Sequence, residues 1–358
     1  MPSLKEIKGR INSISSTLAI TSAMKMVAAA KLQKAQMAIQ NMLPYERRLY
    51  SMLLDLMGAM NISAAASEDG SVRGSGSAER GFDQSGDRLS LSNRHDLAGM
   101  DGAYSLMAQR EVRKVAIVAF ASNSSLCGAF NSNVIREATA VINEYRASGL
   151  GDADITVYSV GRKMAEAMKK LGFPSPADFT KMSDSPSYEV ASALAQELLD
   201  GFVSGRFDKV ELVYNHYKST SSQPTIRQTY LPLSLADATA DIQVGKITDS
   251  ASESDTNRVA EPVGAPVVRQ GSPTTEDLIV EPSKEALIAT LLPKVIRLRI
   301  FTTLLDSAAA EHAARTVAMQ LATDNGNDLL QELTLEYNKG RQQKITSEIL
   351  DLVGGSLQ

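Results

Sequence analysis

Chemistry requires a nucleophile, a base or a set of metal ligands, so the scarce residue types are the place to start. The chain of 358 residues contains one Cys, three His and no Trp. Cys127 sits in "ASNSSLCGAFNSN" (121–133), with no His near it in sequence and small residues after it. That setting suits a small buried hydrophobe better than an activated thiol. His95, His216 and His312 are scattered, and none has metal-ligand spacing. The Cys127 stretch follows an apolar run, where a nucleotide-binding turn would lie. A dinucleotide fingerprint needs three glycines there, and only Gly128 is present; no P-loop occurs. A helix start can hold an anion, but most hold water. No catalytic, cofactor-binding or metal-binding residue is expected. A small α/β enzyme with helical arms stays open as a reading, with nucleotide binding as its test.

Two other patterns suit binding rather than reaction. "ITSAMKMVAAAKLQKAQ" (20–36) favours a helix throughout, without Pro or Gly. It carries Lys25, Lys31 and Lys34 among Ala28, Ala29, Ala30 and Ala35, which makes a thin, smooth, positively charged helix. "YNKGRQQKITSE" (337–348) places Asn338, Arg341, Gln342 and Thr346 on adjacent turns, so they can share one face. A row of long polar donors suits hydrogen bonding to another protein; a solvated helix face is the alternative. Between them, "TDNGND" (323–328) breaks helical propensity in mid-pattern, and a loop joining two shorter helices accounts for it equally well.

Long helices must carry both patterns. Leu4, Ile7, Ile11, Ile14, Leu18, Thr21, Lys25, Ala28, Leu32, Ala35, Ile39, Met42, Glu46, Leu49, Leu53, Leu56 and Met60 form a heptad seam with polar faults at Thr21, Lys25 and Glu46. Pro44 is a possible kink. Such a helix reaches about 80–90 Å, far beyond the ~15 Å radius of gyration of a compact 150-residue domain. Residues 62–109 and 236–280 are rich in Gly, Ser, Pro or charge and read as two flexible inserts, the second acidic, with a short strand expected around Val263–Val268. Between them, strands are expected at 112–122, 154–161, 209–219 and 224–234, and helices at 132–149, 162–172 and 187–205, the last capped by Ser187. The last two strands should pair antiparallel in a mostly parallel sheet. From 281 to 358 a second helical seam runs through Leu287, Leu291, Leu298, Phe301, Leu305, Ala308, Met319, Ala322, Leu329, Leu333 and Tyr337. The fold class is α/β. Helices over 1–61 and 281–358 pack as an antiparallel coiled coil, and an α/β domain over 110–235 hangs off one end.

Composition excludes some partners. A hydrophobic fraction of 43% permits a real core, and a net charge of −4 gives no hint of nucleic acid. A single Cys rules out an internal disulfide and fits a reducing compartment. No apolar run reaches the roughly 18 residues of a membrane span. The opening "MPSLKEIKGRI" reads as helix, with no signal-peptide core and no transit peptide.

"LKEIKGRINSI", "ITSAMKMVAAAKL", "SSLCGAFN" and "AARTVAMQLATDNGNDLLQELTLEYNKGRQQKITSEI", in that order, resemble the γ-subunit family of F-type rotary ATP synthases. The resemblance covers 1–61, 110–235 and 281–358, and its two end motifs are long and specific. It implies a coiled-coil shaft with a Rossmann-like domain lacking nucleotide, turning inside a ring of three α and three β subunits. Its foot would join the ε subunit and a membrane ring of c subunits, at the cytoplasmic face of a bacterial inner membrane. It marks Met24, with Lys25 beside it, as the contact with a β-subunit lever loop. Arg341, Gln342, Thr346 and Glu348 become a catch on one β subunit, and Glu281 lies at the foot near the ring. The two inserts depart from the family pattern, and one Cys excludes the redox-switched cysteine pair of some photosynthetic relatives. A coiled-coil scaffold with no energy-coupling role is the reading that composition and seam alone prefer.

Overall fold

The computed structural model describes residues 3–59, 106–107, 109–233, 281 and 284–355. Residues 62–105, residue 108, the second insert, His95 and the strand expected at Val263–Val268 lie outside the described residues. The end of the first insert is not a free loop, because Leu106 is buried in the sheet core with Met107 packed beside it, so the domain begins earlier than expected. Helix α1 (Leu4–Ala59) and helix α6 (Lys284–Gly355) flank a four-stranded sheet. The sheet contains β1 (Val115–Phe120), β2 (Ile155–Val160), β3 (Lys209–Asn215) and β4 (Thr225–Leu231). Helices α2 (Phe130–Ala147), α3 (Arg162–Lys170), α4 (Thr180–Asp184) and α5 (Tyr188–Val203) connect the strands. The order across the sheet is β2-β1-β3-β4. β1 pairs in parallel with β2 and β3, and β4 closes one edge antiparallel to β3. The short α4 carried too little periodicity to be expected. Ser187 holds the N-cap position of α5, yet its side chain makes no capping hydrogen bond.

β1 is central and buried on both faces, which is why its sequence is a continuous apolar run rather than an alternation. Val115, Ile117 and Ala119 meet α2 and α3 through Val134, Ala138, Val141, Met164 and Met168. Ala116, Val118 and Phe120 face α5 and α6. On α6 a row of every fourth residue, Ile288, Leu292, Ile296, Ile300 and Leu304, is buried in that same core together with Leu53 and Leu56 of α1. Burying each such side chain is worth about 1.5–3 kcal/mol. The α/β domain therefore does not simply hang from the rod: the first turns of α6 are one wall of its core. This corrects the single seam expected there. Near the sheet α6 must be apolar on two faces, one for the sheet and one for α1.

Past the sheet the rod has only α1 and α6. They run antiparallel: Tyr50 meets Arg299, Leu32 packs on Ala309 and Ala313, and Thr21 faces Thr323. From residue 321 onward the half-buried positions of α6 are 323, 326, 330, 333, 337 and 340, alternating steps of three and four. Ala322 and Leu329, expected in the seam, are exposed, and Leu329 is 49% accessible. Both proline-containing helices are continuous, through Pro44 in α1 and Pro293 in α6. The Asn-Gly break is also absent: α6 runs unbroken through 323–328. A Cβ on Gly326 would lie 2.6 Å from Leu18 Cδ2, and one on Gly340 would lie 3.2 Å from Leu4 Cδ2. These glycines are notches that admit leucines of α1, and their cost in helix propensity, about 1 kcal/mol each, is offset by close packing.

The polar faults of the α1 seam are mostly answered across the pair. The Thr21 and Thr323 hydroxyls are 3.2 Å apart, and Thr302 Oγ1 donates to Glu46 Oε1 at 3.1 Å. Buried Arg299 donates through Nη1 to Tyr50 Oη at 2.9 Å. Lys25 is half-buried and has no ion-pair partner among the described residues.

Candidate partner-binding surface

The "SSLCGAFN" loop is folded for docking. Ser122 N and Oγ both donate to Asn131 Oδ1 at 3.0 Å, and Asn131 Nδ2 reaches Ser124 O at 3.2 Å. Leu126 and Gly128 take positive φ (68° and 59°), which turns the chain tightly enough to bury Cys127 at 1% exposure. Cys127 and Phe130 then pack on Ala310 of α6, with Ala314 beside them. Arg315 Nη2 donates to Ser124 Oγ at 2.7 Å and pins the loop from the rod side. The motif joins the α/β domain to α6, and the side chains of Ser124 and Asn131 are used within the chain. Among the described residues no group of His, Cys, Asp and Glu could hold a metal ion.

Of the two described histidines, His216 serves the same junction. His216 Nδ1 is 2.6 Å from Asp306 Oδ2 of α6, and Tyr217 N donates to Asp306 Oδ1 at 2.9 Å. Gln36 of α1 donates to Tyr217 Oη at 2.6 Å, so one short turn after β3 holds both rod helices. His312 is half-buried, and its Nδ1 is buried without a hydrogen-bond partner. Burial, with the positive charges of Arg315 and Lys31, lowers its pKa from 6.5 to about 4. The unfolded state then binds more protons between those values, so His312 adds stability above pH 6.5 that is lost as pH falls towards 4. His312→Gln is expected to flatten the decline of unfolding free energy over that window by about 1–2 kcal/mol. Urea titrations of parent and variant at pH 7 and pH 5 check it, and parallel curves would remove His312 as the cause.

The residues expected to meet partners do not converge on one site. Met24 and Lys25 are half-buried on α1, with Met26 and Val27 exposed beside them at 66% and 58%. Lys31 and Lys34 are exposed on the same collar. Arg341, Gln342, Thr346 and Glu348 are all exposed on α6 beyond Gly340, the level at which α1 begins with Leu4. Thr346 Oγ1 donates back to Gln342 O at 2.9 Å, and Lys344 Nζ lies 3.7 Å from Glu348. About 30 Å of helix separates this segment from the collar. Glu281 is exposed and precedes α6, at the opposite end of the rod. The residues thus mark three levels along one long body.

Sequence reading missed one component. Ile20, Val27, Leu335, Ile345, Ile349 and Leu352 are large, apolar and more than two-fifths exposed. They fall off the heptad seam, and that misfit was the available signal. Apolar residues along a thin two-helix rod suit contact with surrounding protein. No helix among the described residues is long and apolar enough to cross a membrane.

Comparison with known proteins agrees with this geometry. The family model described as "ATP synthase" matches residues 3–357. The ATP synthase gamma chain of Phocaeicola vulgatus is 47% identical over 357 residues, covering 100% of both chains. That of Bacteroides thetaiotaomicron is 45% identical with the same coverage, and that of Flavobacterium johnsoniae is 36% identical over 99% of this chain and 98% of its own. Such end-to-end matches mean that the two segments read as inserts have counterparts in these relatives. Among solved structures, a chain in the cryo-EM structure of the Euglena gracilis mitochondrial ATP synthase (OSCP/F1/c-ring, rotational state 3) superposes with a TM-score of 0.51 at 18% identity, over 98% of this chain and 92% of that one. The chain belongs to the family of ATP synthase γ chains.

Proposed function

We propose that the chain is the central rotor shaft of a bacterial F-type ATP synthase, coupling ion flow through a membrane ring to ATP synthesis and hydrolysis in the surrounding catalytic subunits. The observation that carries this reading is end-to-end membership of the γ-chain family. A pair of long antiparallel helices whose free tip bears a row of exposed polar donors supports it. In this reading α1 and α6 form a coiled coil and the sheet domain is Rossmann-like without a nucleotide. Three α and three β subunits enclose the rod. The ε subunit and the c ring sit at the foot near Glu281, and the assembly lies peripherally on the cytoplasmic face of the membrane.

The chain is a non-catalytic subunit, and its part in the reaction is mechanical. An asymmetric shaft binds different conformations of three β subunits with different affinities, so turning it shifts their equilibrium between holding and releasing nucleotide. Met24, Lys25 and the basic collar touch the β lever loops weakly and repeatedly. Small Ala side chains keep that contact shallow, since a deep anchor at one angle would hold the rotor there. Arg341, Gln342, Thr346 and Glu348 form a stronger, angle-specific catch on one β subunit.

Purification through a tag on this chain tests the assignment. The expected product contains three α and three β subunits with ATPase activity; recovery of the chain without them would leave the scaffold reading. Segments 65–105 and 236–280 are proposed to be dispensable for assembly, because their composition cannot bury enough apolar surface to offset ordering. Deleting 65–105 is expected to leave the subunit composition unchanged, measured by native mass spectrometry. A deletion product lacking α and β would show that the segment belongs to the core.

A further inference from the structure

The rod and the sheet are joined by two struts with a gap between them. At the first, Tyr230 Oη donates to Ile296 O of α6 at 3.0 Å. At the second, Asp306 holds His216 and the backbone of Tyr217. About 15 Å of helix lies between the struts. The antiparallel edge strand β4 cannot follow a straight rod over that distance, because sheets twist. What remains is a cavity of about 550 Å³ bounded by α1, α6, β3 and β4. That is the size range of small-molecule sites, which are mainly apolar with a few placed polar groups.

The lining has that character. Ile39, Leu43, Tyr214, Ile226 and Leu305 supply apolar and aromatic surface. Three cations, Arg47, Lys218 and Arg299, border the cavity against two carboxylates, Glu46 and Asp306. Both carboxylates already accept hydrogen bonds, Glu46 from Thr302 and Asp306 from Tyr217 N. Lys218 is exposed and has no ion-pair partner among the described residues. The charge balance favours an anion, and the walls favour a hydrocarbon.

We propose that this cavity binds a small carboxylate amphiphile, with its apolar body between Ile39, Ile226 and Leu305 and its carboxylate at Lys218. An aliphatic body fills the space between rod and sheet, where no side chain of either reaches, and the head group stays at the wet rim. A bound amphiphile touches α1, α6 and both strands of the β3–β4 pair at once, so it stiffens the joint between domain and rod. This proposal does not depend on the rotary reading, because every group it uses belongs to this chain.

Titration calorimetry of the full-length chain with dodecanoate, below its micelle concentration, tests it. One saturable site is expected, with dodecyltrimethylammonium giving none. Gln40→Trp places an indole at the mouth from an exposed position and is expected to weaken dodecanoate by more than about tenfold. Lys218→Glu is expected to weaken it about tenfold. Ile226→Trp fills the floor and is a second variant should Gln40→Trp leave the mouth open. Absence of a saturable site, equal binding of the cationic probe, or unchanged affinity in both Trp variants would overturn the proposal.

Discussion

Glu211→Ala is expected to destabilise the chain by about 3–5 kcal/mol, the usual effect of removing one partner from a buried ionic group. The Glu211 side chain is 2% exposed in the middle of β3, and its carboxylate collects four donors. Arg227 reaches it through Nε at 2.7 Å and Nη2 at 3.1 Å, Tyr145 Oη donates at 2.6 Å, and Lys209 Nζ lies at 2.6 Å. Arg227 also pairs with Glu144 of α2, so the cluster ties the sheet edge to the helix above it. Burial works to raise the Glu211 pKa, but the hydrogen bonds from Arg227, Lys209 and Tyr145 outweigh it and hold the value below 4.5. A depressed carboxylate pKa contributes stability that is complete above the unfolded value and lost as pH falls through the folded one. The parent should therefore lose stability below about pH 4.5 more steeply than Glu211→Gln, which keeps the shape without the charge. Denaturant titrations of the three proteins at pH 7 and pH 4 decide it. A loss below about 1 kcal/mol for Glu211→Ala at pH 7 would mean that the cluster rearranges around water.

The double variant Arg341→Ala, Gln342→Ala is expected to fold and assemble normally and to hydrolyse ATP about 10–100-fold more slowly. Both side chains are exposed. Truncation should change stability by no more than about 0.5 kcal/mol. In the assembly each charged hydrogen bond to a partner is worth about 1.5–3 kcal/mol, and losing one that forms only at the committed angle raises the barrier by that amount. Steady-state turnover of the assembled variant, with its subunit composition checked in parallel, is the measurement. Parental turnover would show that these residues are merely a solvated face.

Much of the fold was legible because it is local. The four strands and the three longer connecting helices fall within a few residues of the expected ranges, since β-branched runs and amphipathic periods declare themselves over a short window. The α1 seam was legible for the same reason. What failed involved partners distant in sequence. Gly326 reads as a helix breaker until Leu18, about 300 residues away, is placed against it. Thr21 and Glu46 read as faults until Thr323 and Thr302 arrive to bond them. Ala322 and Leu329 were assigned to the seam because apolarity was the only guide, whereas the notch glycines fix the true register. Surface placement of Arg341, Gln342, Thr346 and Glu348 was readable from their spacing. The surface proposed to meet them is on another chain, so no property of this sequence specifies its shape.

The glycine notches and the cross-pair hydrogen bonds have a consequence for how the rod carries load. Sliding α6 along α1 by one helical turn, about 5.4 Å, would move Gly326 away from Leu18 and bring up Thr323 or Leu330 in its place. The same slip would separate Thr21 from Thr323, Glu46 from Thr302 and Tyr50 from Arg299. A pair with a uniform leucine seam would find a nearly equivalent alignment one turn away; this one does not. Its two strands are keyed, like a splined axle. Torque applied at the broad end therefore cannot relax by creep between the helices, and it appears at the free tip as stored winding of the pair as a whole.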